Sequence, residues 1–325
     1  HVFGTWNRGS TPCPPAMKIF SGNSNLPLAR KIASYVGVPL GSVELSKFSD
    51  GELRVAFNEN IRGEDVFIIQ STNPPAENLM ELLLMLDAAK RASANTVTAV
   101  MPYYGYARQD RKDKARVPIS ARMVLDLISS AGVDRMVTMD LHSPQIQGFT
   151  NVPFDNLYSR IALFNKLQDY NLDLDSGVVL APDIGSAKMS QSYAKKLGIG
   201  FALIDKRRPS PNIAEVANLI GDLKGRQVFI IDDMIDTAGT ICNAAEAAIN
   251  HGAKSVVALA THAVLSGPAI KRLKDSVLTK IILSDTIPIE ENSLFEKLEI
   301  ISVAEVFAEA IQRINAGDSV SALFK

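Results

Sequence analysis

Three stretches of this 325-residue chain carry side chains whose types and spacing suit phosphorylated sugars or nucleotides. The first is Asp232-Asp-Met-Ile-Asp-Thr-Ala-Gly-Thr240. Its segment Asp236, Thr237, Ala238, Gly239, Thr240 is small and hydroxylated and runs into an Ala-rich helical pattern. Small residues let backbone N–H groups converge on an anion at a helix N-terminus, and threonine hydroxyls add donors. Asp232 and Asp233, just ahead of that cradle, suit sugar hydroxyls, which donate to carboxylates, or a metal. A sugar phosphate would satisfy both parts; a strand, a turn and an N-capped helix with no ligand is the plainer alternative.

The second stretch, Tyr103–Arg116, sets five basic residues against two acidic ones and opens with three tyrosines. Guanidinium forks such as that of Arg108 match phosphate oxygens, and aromatic faces stack on a base. A patch for single-stranded nucleic acid, or a solvated charged loop, would use the same ingredients. The third, Lys206-Arg-Arg-Pro-Ser-Pro211, follows a strand pattern. Three cations and two prolines predict an exposed loop, and a mobile Lys206 or Arg208 could close over a nucleotide and stabilise charge on a transferred phosphoryl group. His142 and Asp183 stand at the ends of two further strand patterns. A Mg²⁺ site commonly has few protein ligands, with waters and substrate phosphates completing the octahedron. Imidazole is unusual for Mg²⁺, so by type alone His142 equally suits a hydrogen-bonding loop. His251 and His262 are read as structural.

These residues need strands that end in one place. Strand patterns are expected at 18–20, 43–48, 53–57, 65–70, 96–101 and 135–139, then at 178–181, 201–204, 227–231, 255–260 and 280–283. Helical periodicity is expected at 26–36, 78–92, 118–131, 157–167, 187–197, 240–250 and 303–315. The alternation predicts an α/β chain with mostly parallel sheets flanked by helices, in two halves. Ligands of such sheets collect at the carboxyl ends of the strands, where all the residues above fall. The domain reading is an N-terminal extension or artificial remnant at 1–16, a first domain at 17–156 and a second at 157–325, its last ~15 residues packing on the first.

Formal net charge is −1, so no global field points to nucleic acid or an anionic membrane. No apolar run approaches the ~20 residues of a membrane span. Cys13 and Cys242 are the only cysteines. A disulfide framework is therefore not expected, and the chain reads as cytoplasmic.

From Met17 onward the ordered set Phe48-Ser-Asp-Gly-Glu52, Pro102–Arg111, Asp140-Leu-His142, Gln145–Phe149, Ile204–Pro209 and Asp232–Thr240 resembles class I ribose-phosphate pyrophosphokinases of the bacterial type. The resemblance implies two phosphoribosyltransferase-like domains and transfer of the β,γ-diphosphoryl group of ATP to the 1-hydroxyl of ribose 5-phosphate. It implies that Asp236–Thr240 hold the 5-phosphate, that Asp232 and Asp233 hold ribose hydroxyls, and that Arg108 and Gln109 contact ATP. Phe48, Asp50, Gly51 and Glu52 would hold adenine from a neighbouring subunit, His142 and Asp183 would stand at the Mg²⁺–ATP site, and Lys206 with Arg208 would be catalytic, Arg208 also binding ribose 5-phosphate. It further implies a homo-oligomer, a hexamer built from dimers, with phosphate and ADP as regulators and Ser319 and Ser321 at a regulatory phosphate site. Ser186 departs from the family's usual Pro-Asp-X-Gly-Gly, a problem if that position needs a positive φ. Rival readings are a catalytically silent regulatory homologue and a phosphoribosyltransferase, which would give no reason for Arg108-Gln109.

Overall fold

The computed structural model describes residues 16–169, 177–207 and 216–324. In chain order the elements are β1 (Met17–Ser21), α1 (Leu26–Val36), β2 (Val43–Lys47), β3 (Leu53–Phe57), β4 (Asp65–Ile69), α2 (Glu77–Arg91), β5 (Thr96–Met101), α3 (Ser120–Ser130), β6 (Arg135–Met139) and β7 (Phe154–Leu157). They continue with α4 (Arg160–Asp169), β8 (Val178–Ala181), α5 (Ala187–Leu197), β9 (Gly200–Arg207), β10 (Val216–Ile220), β11 (Gln227–Ile235), α6 (Gly239–Asn250), β12 (Ser255–Ala263), α7 (Ala269–Asp275), β13 (Lys280–Ser284), β14 (Leu298–Ile301) and α8 (Ala304–Ala316).

The first sheet is wholly parallel, in the order β1-β4-β5-β6-β7. The second runs β10-β9-β8-β11-β12-β13-β14, parallel except for the antiparallel pair β9–β10. Strands such as Asp65-Val-Phe-Ile-Ile69 are apolar without alternation because helices cover both faces. Their helices carry ordinary stop and start signals. Asn25 accepts the Leu28 N–H at the start of α1, and Gly37 ends it at φ 81°. Phe20, Phe67, Phe229 and Phe307 are fully buried, each contributing about 1.5–3 kcal/mol. Phe307 belongs to α8, which packs with Ile19, Leu28 and Phe67; the last helix thus covers the first sheet although the second sheet precedes it. Among the described residues no helix is long and apolar enough to cross a membrane.

Four elements were not expected: β7, β10, β14 and α7. Each is short, at most seven residues, and β7 (Phe-Asp-Asn-Leu) carries two polar residues, so none repeats its pattern often enough to stand out. Two expectations are corrected. The strand predicted at 227–231 runs on to Ile235, because β12 is equally long and pairs Asp232 with Ala260 and Met234 with His262. Asp232 and Asp233 therefore lie within a strand, not beyond its end. Likewise β9 continues through Lys206 and Arg207, which pair with Ala217 and Val216, so Lys206 is not in a loop; Arg208 lies outside the described residues. Ser186 has φ −85°, so the feared left-handed strain does not arise. Its N–H donates to Asp183 Oδ1 at 2.9 Å and its hydroxyl to the Asp183 carbonyl at 3.1 Å.

Candidate active site

The carboxyl ends of β5 and β6 face those of β11 and β12. After β5 the chain turns sharply at Gly105, where an added Cβ would lie 2.2 Å from the Thr72 carbonyl oxygen, so only glycine fits. Gly105 N–H donates to Thr72 Oγ1 at 2.8 Å, and the buried Tyr104 hydroxyl donates to Ala121 O at 2.7 Å. This anchored turn delivers Arg108, whose Nη1 donates to Asp236 Oδ2 at 2.5 Å. The Ser266 hydroxyl donates to the other oxygen of Asp236. Burial alone would raise the Asp236 carboxyl, but the hydrogen bonds from Arg108 and Ser266 hold it below the usual range. Gln109 is held against α3, its Oε1 accepting from Ser120 Oγ at 2.6 Å.

After β6, His142 crosses to the second sheet and donates from Nδ1 to Asp233 Oδ2 at 2.7 Å. That bond raises the imidazole above its ordinary value, against the opposing effect of burial. For Asp233, burial acts upward but the bond from His142 wins, and the carboxyl is lowered. Asp232 is the opposite case: burial, then the charge of Asp233, pushes it up to about 8. The neighbouring acids thus divide, Asp232 pushed toward its protonated form and Asp233 toward its ionised form, hydrogen-bonded to the imidazole of His142.

The cradle follows. Ala238 sits at φ 61° and α6 begins without a side-chain cap, so its first N–H groups are open to an anion. Arg272 of α7 donates from Nη1 to the Thr237 carbonyl at 3.0 Å, drawing that oxygen's partial negative charge toward a cation. A cavity of about 510 Å³ adjoins it, lined by Gly239, Asn243, Glu246, Lys271 and Arg272 among others.

The structure thus joins Arg108 to Asp236 and His142 to Asp233, but it does not join His142 to Asp183, whose Oδ1 is occupied at the start of α5. Among the described residues no three His, Cys, Asp or Glu side chains form a group that could hold a metal. The donor set nevertheless fits a hard cation. Asp232 and Asp233 are an acidic pair that a divalent ion would neutralise, provided waters and substrate oxygens complete its shell. Phe48, Asp50, Gly51 and Glu52 form the exposed β2–β3 hairpin tip. There Phe48 is 53% exposed, Gly51 has φ 96°, and the Glu52 N–H donates to Asp50 Oδ1 at 3.0 Å. Ser319 and Ser321 hydroxyls lie 3.0 Å apart near the end of the chain.

Sequence reasoning missed Arg272 and Ser266. Both lie after β12 in a stretch with no spacing signal, and only folding brings them onto Thr237 and Asp236. His262, read as structural, is buried with polar partners on two segments, Met139-Asp140 and Thr286.

A model of the N-terminal domain of ribose phosphate pyrophosphokinase matches residues 17–132, and a phosphoribosyl synthetase-associated domain matches residues 208–325. The chain is 54% identical over 309 residues to a ribose-phosphate pyrophosphokinase of Chlorobaculum tepidum, covering 95% of each chain. It is 54% identical over 310 residues to that of Caldanaerobacter subterraneus, covering 95% of this chain and 98% of the relative. Among solved structures it is similar to phosphoribosylpyrophosphate synthetase from Mycobacterium smegmatis, with TM-score 0.87, 38% identity, and coverage of 93% and 99%.

Proposed function

The chain belongs to the ribose-phosphate pyrophosphokinase family, and from that premise we propose how its residues divide the reaction. It is an enzyme that transfers the β,γ-diphosphoryl group of ATP to the 1-hydroxyl of ribose 5-phosphate, giving 5-phosphoribosyl 1-diphosphate and AMP. The observation that carries the site reading is the pair of cross-sheet contacts, Arg108 to Asp236 and His142 to Asp233, which puts a cationic edge against an acidic one.

In this reading the open N-terminus of α6 and the hydroxyls of Thr237 and Thr240 bind the 5-phosphate. Ionised Asp233 accepts a ribose hydroxyl proton in a hydrogen bond, and Asp232 offers a second position, as donor while protonated and acceptor once ionised. Arg108 exchanges Asp236 for the ATP phosphates, with Gln109 beside it. The 1-hydroxyl releases its proton to water as its oxygen bonds the β-phosphorus and the bond from that phosphorus to the bridging oxygen of the α-phosphate breaks, leaving AMP. Little covalent work falls to the protein, so positioning and charge neutralisation dominate. Transfer of a polyphosphate group generally uses a divalent metal; Mg²⁺ is our assignment, and His142, once released from Asp233, and Asp183 would hold it with the phosphates, beside the acidic pair Asp232 and Asp233, supplying charge neutralisation at the transferred group. Lys206, on β9, and Arg208 act on that group.

We further assign residues 17–156 to the nucleotide side and 157–325 to the sugar-phosphate side. The exposed hairpin tip Phe48–Glu52 serves adenine bound to a neighbouring subunit of a homo-oligomer, a hexamer of dimers in the cytoplasm. Ser319 and Ser321 contribute to a regulatory phosphate site at which ADP also acts.

The test incubates the protein with ATP, Mg²⁺ and ribose 5-phosphate and resolves the products. AMP and phosphoribosyl diphosphate in equal amounts are expected. ADP as the only nucleotide product, or no turnover, would contradict the reading.

A further inference from the structure

Behind the two cross-sheet contacts lies a buried polar joint that no substrate needs to touch. Thr261 Oγ1 donates to Asp140 Oδ2 at 2.7 Å, and the same oxygen accepts the Ser159 N–H at 3.0 Å. The Ser159 and Thr261 hydroxyls lie 2.7 Å apart. His262 donates from Nε2 to the carbonyls of Met139 and Asp140, at 3.1 and 3.2 Å, and its Nδ1 accepts from the Thr286 hydroxyl at 2.9 Å. Its ring meets Tyr103 edge-on at 4.9 Å. Thr261 and His262 are each 2% exposed.

The placement of this joint is specific. Asp140 precedes His142 by two residues, on the strand end of the first sheet. On the second sheet His262 pairs with Met234, the residue after Asp233. Asp140 holds φ 39°, a left-handed conformation that costs a non-glycine residue energy and persists because its side chain and both flanking carbonyls are tied down. Buried polar networks of this kind are demanding, since every member must be satisfied, and an apolar contact would join two sheets more simply.

We propose that Asp140, Thr261 and His262 are positioning residues for the transfer. They set the register between the sheets, so that the nucleotide held by one and the sugar phosphate held by the other meet in line. This rests on the division of substrates proposed above. Each half can bind its own substrate without the joint; only the reaction between them needs it, and a misplacement of about 1 Å can cost on the order of 100-fold in rate.

Thr261→Val keeps shape and removes the hydroxyl. Its expected signature is kcat lower by about tenfold or more, with calorimetric affinities for ribose 5-phosphate alone, and for a non-hydrolysable ATP analogue with Mg²⁺ alone, within about twofold of the parent. Lys31→Met removes a different contact between the same halves, the exposed ion pair with Asp285 at 2.8 Å, and should leave kcat unchanged. Should Thr261→Val not fold, Ser159→Ala tests the same hydroxyl cluster with the same measurements. Parental kcat in these variants, a loss accounted for by weaker binding of either substrate, or an equal loss in Lys31→Met would overturn the inference. Failure of the parent protein to form phosphoribosyl diphosphate would instead defeat the functional reading beneath it.

Discussion

At the ends of β5 and β6 the first sheet presents Arg108 and His142, whereas the end of β11 in the second presents Asp232, Asp233 and Asp236. Both sheets are parallel layers between helices with similar apolar cores, so the scaffold does not distinguish them. What differs is the chemistry at the strand ends: forked cations on an anchored turn on one side, carboxylates and an uncapped helix on the other. The first suits a polyphosphate, the second a hydroxylated sugar bearing one phosphate. The two edges meet in the pairs Arg108–Asp236 and His142–Asp233, so in the proposed reading each substrate would displace a partner that the opposite half supplies.

Lys206 breaks this pattern, being a cation on β9 of the acidic half. If it serves the transferred group and not the sugar, Lys206→Ala should lower kcat by about 10³-fold, the lower range for a transition-state cation in phosphoryl transfer, with ribose 5-phosphate affinity little changed. Unchanged kcat in steady-state assays would remove Lys206 from the mechanism. Arg272 sharpens the contrast from the other direction, because it acts on the cradle through the Thr237 carbonyl. Arg272→Ala should raise KM for ribose 5-phosphate about tenfold, the scale of one charge-assisted hydrogen bond, while kcat and KM for ATP stay near parental values. Equal rises in both KM values would show that the cradle is not its target.

The smallest effect concerns stability. Asp236 has a lowered folded-state pKa, so its pair with Arg108 stabilises the fold above the unfolded carboxyl value near 3.8 and loses that contribution as pH falls through the lower folded value. The pair is partly exposed, with side chains 45% and 28% accessible, so screening limits it to about 1 kcal/mol or less. Denaturant titrations of parent and Asp236→Asn should differ slightly at pH 7 and draw together as pH falls below 3.8; a gap that widens in acid would reverse the sign.

Much of this was readable from residue order. Unbroken apolar runs such as Val228–Ile231 marked the buried strands, and Asp236–Thr240 marked the turn into α6, because buried strands and tight strand-to-helix turns use few residue types. Strand ends were less readable. That β11 runs to Ile235 depends on pairing with β12, a partner distant in sequence. The contacts of Arg108, His142 and His262 depend on how two sheets meet, and no local pattern encodes that. His142 shows the limit plainly: its position at a strand end was evident, its bond to Asp233 was not.

The division of substrates between the halves is tested most directly by calorimetric titration of Arg108→Ala with each substrate separately. Affinity for a non-hydrolysable ATP analogue with Mg²⁺ should fall by about tenfold or more, while ribose 5-phosphate binds as it does to the parent. Loss of ribose 5-phosphate binding with nucleotide binding intact would contradict it.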